Sequence, residues 1–203
     1  MSAQPFDVIL FDLGGVLIEL TGVPRMIAWT RGRFTEEQLW DRWLSSPAVR
    51  KFERGRSTPE QFGGAMVAEF GLAVSIETFL DEFLYWPSRT YPGTQALLRK
   101  LANTHTLASL SNISEMHWKR ICNEMDLAPY FSSNFPSFKT GYVKPDRDAF
   151  INALDALECR PERAMFMDDN AANVETARTL GMTAFTVAGL TGVEAVLKRA
   201  RLL

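Results

Sequence analysis

Two rhythms of apolar and polar positions share this chain. Short unbroken apolar runs at residues 8–11, 106–110 and 164–167, with weaker ones at 130–133 and 184–187, have the length of buried strands. Between them, residues 92–102, 115–125, 147–157, 171–180 and 193–199 repeat apolar side chains at three- and four-residue spacing, the period of a helix with one buried face. Strands alternating with helices predict an α/β fold, a doubly wound Rossmann-like parallel sheet. Residues 22–86 break the alternation: they read as helical throughout and contain no convincing strand, yet they fall between the first and second strands. This stretch holds Trp29, Trp40, Trp43 and Trp86, four of the five tryptophans, which suits a small inserted lobe with its own core. The same rings could instead line a ligand cleft. Residues 87–93, PSRTYPG, have the composition of a hinge back to the sheet. The expected organisation is a core of residues 1–18 and 90–203 with a helical insertion over 19–89, and there is no repeat or low-complexity segment.

Composition narrows the picture. With 203 residues, 46% hydrophobic and 23% charged, the chain can bury one good core and a smaller lobe. A net charge of −2 gives no reason to expect nucleic acid or an anionic membrane surface as partner, so an anionic ligand must be handled by a local site. The opening MSAQPFD has no cationic region ahead of an apolar stretch, and no apolar run approaches membrane-spanning length. Neither signal peptide nor anchor is expected, and the expected location is the cytoplasm. Cys122 and Cys159 form no CxxC pair and lie in segments read as helical, so free buried thiols are expected.

The first strand runs straight into Asp12, with Gly14 and Gly15 close behind. Open α/β sheets place ligands at the carboxyl ends of their strands, and glycines let the backbone approach what binds there. Ser111 with Asn112, Lys144 with Pro145, and Asp168 with Asp169 and Asn173 fall at other strand ends or in loops. Singly, each has a structural reading: helix N-caps for Ser111 and Asp169, a solvated loop lysine for Lys144, a surface polar residue for Asn173. Jointly they bring an acid, a hydroxyl with an amide, a cation and an acid pair to one edge of one sheet. Asp12, Asp168 and Asp169 would repel one another, and any anionic substrate, unless a cation sat between them. Oxygen ligands without nearby histidine or cysteine suit Mg²⁺ far better than zinc. With Lys144 and the backbone amides near Gly14, Gly15 and Asn112, such a site can bind a phosphate group, and Asp12 is placed to attack its phosphorus.

These fragments, in this order and with a helical insertion after the first, resemble the haloacid dehalogenase superfamily of phosphohydrolases over essentially the whole chain. The insertion corresponds to that superfamily's helical cap. DLGGVL, FERG (52–55), LSN (110–112), VKPD (143–146) and MDDNAANVETA are similar to the branch containing α-glucose-1-phosphate phosphatases, and more distantly to the phosphatase domains of soluble epoxide hydrolases. The resemblance implies Mg²⁺-dependent hydrolysis of a small phosphorylated metabolite through an aspartyl-phosphate. It makes Asp12 nucleophile and metal ligand, the Gly14 carbonyl and Asp169 further ligands, and Asp168 a member of the acid cluster behind them. Ser111, Lys144 and the Asn112 amide would hold the phosphoryl oxygens, helped by the backbone at Gly15, while Asn173 would orient the acid pair.

One position departs from the family pattern. Most of these phosphatases read DxD, the second acid protonating the leaving group and then activating water; here that position is Gly14. The expectation is a substrate whose leaving group needs little proton assistance, such as a sugar 1-phosphate or an aryl or acyl phosphate. His117 is considered as a replacement donor, beside the plainer reading of a helix-surface or capping histidine. Arg50, Glu53 and Arg54 are candidates for reaching the substrate from the insertion, beside a solvated helix face. Two alternatives stand: a 2-haloacid dehalogenase, which needs no metal and usually lacks the consecutive acid pair, and a non-catalytic binder of a phosphometabolite or protein, which Gly14 alone supports.

Overall fold

The computed structural model describes residues 5–203. Residues 1–4, part of the opening read above for a leader, lie outside the described residues. The chain begins with β1 (Val8–Phe11) and β2 (Ile18–Leu20), followed by the inserted helices α1 (Gly22–Trp29), α2 (Glu36–Ser45), α3 (Pro47–Glu53), α4 (Pro59–Phe70) and α5 (Ile76–Phe83). It continues through β3 (Pro87–Thr90), α6 (Thr94–Ala102), β4 (Thr106–Ser111), α7 (Glu115–Glu124), β5 (Ser133–Pro136), the single turn α8 (Ser137–Thr140) and α9 (Arg147–Ala156). Last come β6 (Ala164–Asp168), α10 (Ala171–Thr179), β7 (Thr183–Thr186) and α11 (Gly189–Arg199).

The main sheet has the order β5-β4-β1-β6-β7, with every neighbouring pair parallel. Successive strand side chains point to opposite faces. Ile9 and Phe11 enter one layer with Leu98, Ile121 and Val193, whereas Val8 and Leu10 enter the other with Phe150, Ala153 and Val174. Helices therefore cover both faces, which is why β1 reads as an unbroken apolar run and not as an alternation. β1 lies between β4 and β6, so the winding reverses beside it and opens a crevice at the carboxyl ends of these strands.

The inserted helices have a core of their own. Phe52 stacks on Phe62 with centroids 4.1 Å apart, and Trp43 packs against Trp86 at 5.4 Å. Thr35 with Gln38 and Thr58 with Gln61 form capping boxes that fix where α2 and α4 begin. Trp29, Trp43 and Trp86 pack on this core as expected, whereas Trp40 remains 37% exposed.

The structure corrects the sequence reading in three places. Residues 87–93 are not a bare hinge, because β3 pairs antiparallel with β2 and ties both crossings between insertion and sheet into one ribbon. Strands this short carry too little pattern to stand out. The weak strand expected at 130–133 begins at Ser133, because Ala128–Tyr130 is taken by a turn of 3₁₀ helix with Pro129 inside it. Both cysteines are free, but each is only half-buried, and Cys159 lies beyond the end of α9. Among the described residues no helix is long and apolar enough to cross a membrane.

Candidate active site

Asp12 directly follows β1, and its N–H donates to the Met167 carbonyl at 2.9 Å, which fixes it against β6. Ser111 is the last residue of β4 and Asp168 the last of β6. Lys144 lies in the loop before α9. The Asn112 side chain staples that loop to the end of β4, donating to the Lys144 carbonyl and accepting from its N–H, both at 2.8 Å. The plain structural readings of these residues do not hold. The side chains that cap α7 and α10 are Ser114 and Asn170, which leaves Ser111 and Asp169 to the crevice. Lys144 is 3% exposed, and Asn173 is buried.

The Lys144 ammonium sits 2.6 Å from Asp168 Oδ2 and 3.0 Å from Asp12 Oδ1. Burial alone would lower its pKa, but the charges of Asp12 and Asp168 outweigh that and hold it above the usual lysine range. Burial pushes the Asp12 carboxyl up, a tendency that Lys144 and the Ser111 hydroxyl oppose and Asp168 reinforces. Asp168 is fully engaged: besides Lys144, it accepts from the Asn170 N–H at 2.7 Å and from the Asn173 amide at 3.0 Å on both oxygens. Asp12 Oδ1, by contrast, is buried and accepts no well-aligned hydrogen bond.

Asp169 completes the cluster. Burial first, and then the charges of Asp12 and Asp168, push its carboxyl up to about 7. One oxygen from each of Asp12, Asp168 and Asp169 lies within 4.8 Å of the others. A crowd of hard oxygen donors, one of them a buried atom offset only by the Lys144 charge, fits a divalent cation of the magnesium type. Gly15 makes room for the cluster: its φ is +69°, and a Cβ there would stand 2.1 Å from Asp169 Oδ2. At Gly14, a Cβ would come within 3.2 Å of Leu20 Cδ1, so an apolar side chain fills the space beside it.

The end of α3 closes over this floor. Glu53 lines the cavity shared with Asp12, Lys144 and Asp169, and its carboxyl makes no hydrogen bond among the described residues. Burial raises it to about 7 against the pull of Lys144. Its backbone is anchored: the Ser137 hydroxyl donates to the Glu53 carbonyl at 2.6 Å. Next to it, a Cβ on Gly55, which has φ +68°, would strike the Phe138 carbonyl oxygen at 2.6 Å. Arg50 and Arg54 both grip Asp146, at 2.7 and 2.6 Å. Arg50 thus lines the cavity with a guanidinium already engaged by the core, so FERG docks the insertion and aims Glu53 inward. Ser137, which nothing in the local sequence singled out, is part of that anchor.

His117 is neither on the helix surface nor a cap. It is buried at the cavity wall, with Nε2 2.7 Å from the Phe83 carbonyl, and burial lowers its pKa to about 4. An imidazole neutral at physiological pH, with its Nε2 proton given to a carbonyl, is poorly placed to donate a proton. It instead ties α7 to the end of α5. Because its folded pKa lies below the unfolded 6.5, the folded state binds fewer protons. The associated stability is complete above pH 6.5 and is lost as pH falls toward 4, by ~3 kcal/mol in all. His117→Gln should flatten the fall in Tm between pH 6.5 and 4; identical slopes in the two proteins would contradict this.

Fold and site together define a hydrolase of the doubly wound α/β type, with a carboxylate-centred crevice at the switch point of its sheet. The chain belongs to the haloacid dehalogenase-like hydrolase family, whose model matches residues 6–181. Drimenol cyclase drtB of Aspergillus calidoustus is 26% identical over 86% of this chain, which spans only 32% of that relative's length. Sesquiterpene phosphatase astK of Aspergillus oryzae is 26% identical, with 87% of each chain covered. The HAD family enzyme bt-2542 of Bacteroides thetaiotaomicron superposes with a TM-score of 0.74 at 25% identity, covering 91% of this chain and 94% of that one. A crystal structure of bt-2542 holds magnesium and inorganic phosphate.

Proposed function

We propose that the protein is a Mg²⁺-dependent phosphomonoesterase that hydrolyses a small phosphorylated metabolite through a phosphoryl-aspartate on Asp12. The observation that carries this reading is Asp12 itself, a buried carboxylate beside Lys144 and within a cluster of three acids. Asp12, Asp169 and the Gly14 carbonyl would hold the ion, with Asp168 behind them engaged to Lys144 and Asn173. When bound, Mg²⁺ offsets the crowded negative charge and draws charge from the phosphoryl oxygens. Ser111, Lys144 and the Asn112 backbone amide bind those oxygens and orient phosphorus toward Asp12; the Gly15 backbone expected to help is not available, because its N–H donates to the Ile18 carbonyl at 2.8 Å. The helices over residues 19–89 act as the cap.

Asp12 attacks phosphorus and the bond to the ester oxygen breaks, the departing oxygen taking a proton from Glu53. Water then attacks the phosphoryl-aspartate and gives its proton to the Glu53 carboxylate; the phosphorus–Asp12 bond breaks, and inorganic phosphate leaves. Glu53 thereby does from the cap what a second acid at position 14 does elsewhere in the family. Its support is that, among the carboxyls lining the cavity, it alone stands outside the acid cluster. A pKa of about 7 also leaves both protonation states populated near neutrality.

A dehalogenase would use the same nucleophile, but Asp169, left without a cation partner, would repel a haloacid's carboxylate. A purely binding role leaves the Asp12–Lys144 pair unexplained. The test is phosphate release from p-nitrophenyl phosphate. Release should be Mg²⁺-dependent, fall to background in chelator and return when Mg²⁺ is restored; release indifferent to chelator would overturn the metal-dependent reading.

A further inference from the structure

We propose that the alcohol this enzyme releases is predominantly hydrocarbon, its substrate being the monophosphate of an apolar alcohol carrying at most one or two further polar groups. The inference rests on the phosphomonoesterase reading and names the substrate class of the same site. The cavity above Asp12 has a volume of about 400 Å³, within the range of small-molecule sites. Away from the phosphoryl floor, its wall includes Val23, Met26, Leu39, Trp43, Phe52 and Trp86.

The polar groups of that wall are few and mostly occupied. Arg50 is held by Asp146, and His117 by the Phe83 carbonyl. Ser114 and Asn170 also line it, each accepting from the first turn of the helix it caps. That leaves chiefly Glu53, beside the reacting centre, and the Trp86 indole N–H, which is buried without a partner among the described residues. A sugar would bring several hydroxyls into this chamber. Each hydroxyl stripped of water and left unpaired costs about 1–3 kcal/mol, which disfavours a polyol here. The apolar surface also begins next to the chemistry, because Leu20 packs over Gly14. Leu20, Trp40 and Leu44 line the cavity while remaining 38%, 37% and 54% exposed, so apolar side chains are left for a ligand to cover.

This proposal differs from the sugar 1-phosphate, aryl phosphate or acyl phosphate expected from Gly14. That expectation assumed a leaving group able to depart without a proton, and Glu53 removes the need for one.

The experiment is a series of n-alkyl phosphates from propyl to octyl, kept below micelle formation, with glucose 1-phosphate and p-nitrophenyl phosphate measured alongside in Mg²⁺. kcat/KM should rise about fourfold per methylene until the cavity is filled, and the longer esters should exceed glucose 1-phosphate. A flat series, or glucose 1-phosphate as the better substrate, with p-nitrophenyl phosphate turned over, overturns this inference and leaves the phosphomonoesterase intact. No turnover of any ester, p-nitrophenyl phosphate included, overturns both.

Discussion

Asp12→Asn should leave a folded protein that no longer hydrolyses phosphate esters, with kcat for p-nitrophenyl phosphate reduced by about 10³-fold or more. The substitution keeps the shape of the side chain but replaces the attacking carboxylate by an amide that cannot form the phosphoryl intermediate. Lys144 keeps its shorter ion pair, the 2.6 Å contact to Asp168, so the buried ammonium is not left unpaired and the fold should survive. Steady-state kinetics together with a thermal melt separate loss of chemistry from loss of structure. A folded variant retaining more than about a tenth of wild-type turnover would remove Asp12 from its proposed role.

Glu53→Gln is the second large effect. For an alkyl phosphate, whose leaving oxygen needs a proton, kcat/KM should fall by about 10²–10⁴-fold. For p-nitrophenyl phosphate, which departs as a stable phenolate, kcat/KM should change by less than about tenfold, because this parameter covers only the steps through phosphoryl transfer. The pH dependence gives the sign. Glu53 titrates at about 7 and must be protonated for the first step, so wild-type kcat/KM for the alkyl ester declines as pH rises past that value. The glutamine variant, lacking the Glu53 carboxyl, should lose that falling limb. Equal losses on both esters, or an unchanged alkyl-ester pH profile, would show that Glu53 only shapes the cavity.

Much of this site was legible in the sequence for a definite reason. A parallel strand buried on both faces reads as an apolar run, so a polar residue at its end stands out, as Asp12, Ser111 and Asp168 do. Gly15 was singled out for a different reason: it was expected to bring backbone to the ligand, whereas it makes room for the Asp169 carboxyl. What escaped depends on which surfaces meet in space. The β2–β3 ribbon joins segments far apart in sequence that are too short to carry a periodic signal. His117 has the spacing of a helix face, and nothing local says that α5 covers it. Arg50 looked free because its partner Asp146 lies 96 residues away. Glu53 was a candidate for reaching the substrate, but its freedom from hydrogen bonds and its raised pKa follow from how α3 docks on Ser137 and Asp146. The aromatics of the insertion were read as packing or as a cleft wall. Trp43 and Phe52 do both, presenting one side to the core of the inserted helices and another to the cavity.

The proposed chemistry turns on a covalent phosphoryl-aspartate at Asp12. Its most direct test is rapid acid quenching of the Mg²⁺-loaded enzyme during turnover of p-nitrophenyl phosphate, followed by peptide mapping by mass spectrometry. A phosphoryl group should appear on Asp12 within the first turnover and be absent in Asp12→Asn. Phosphate release with no modified residue, or with the phosphoryl group on another side chain such as Ser111, would contradict it.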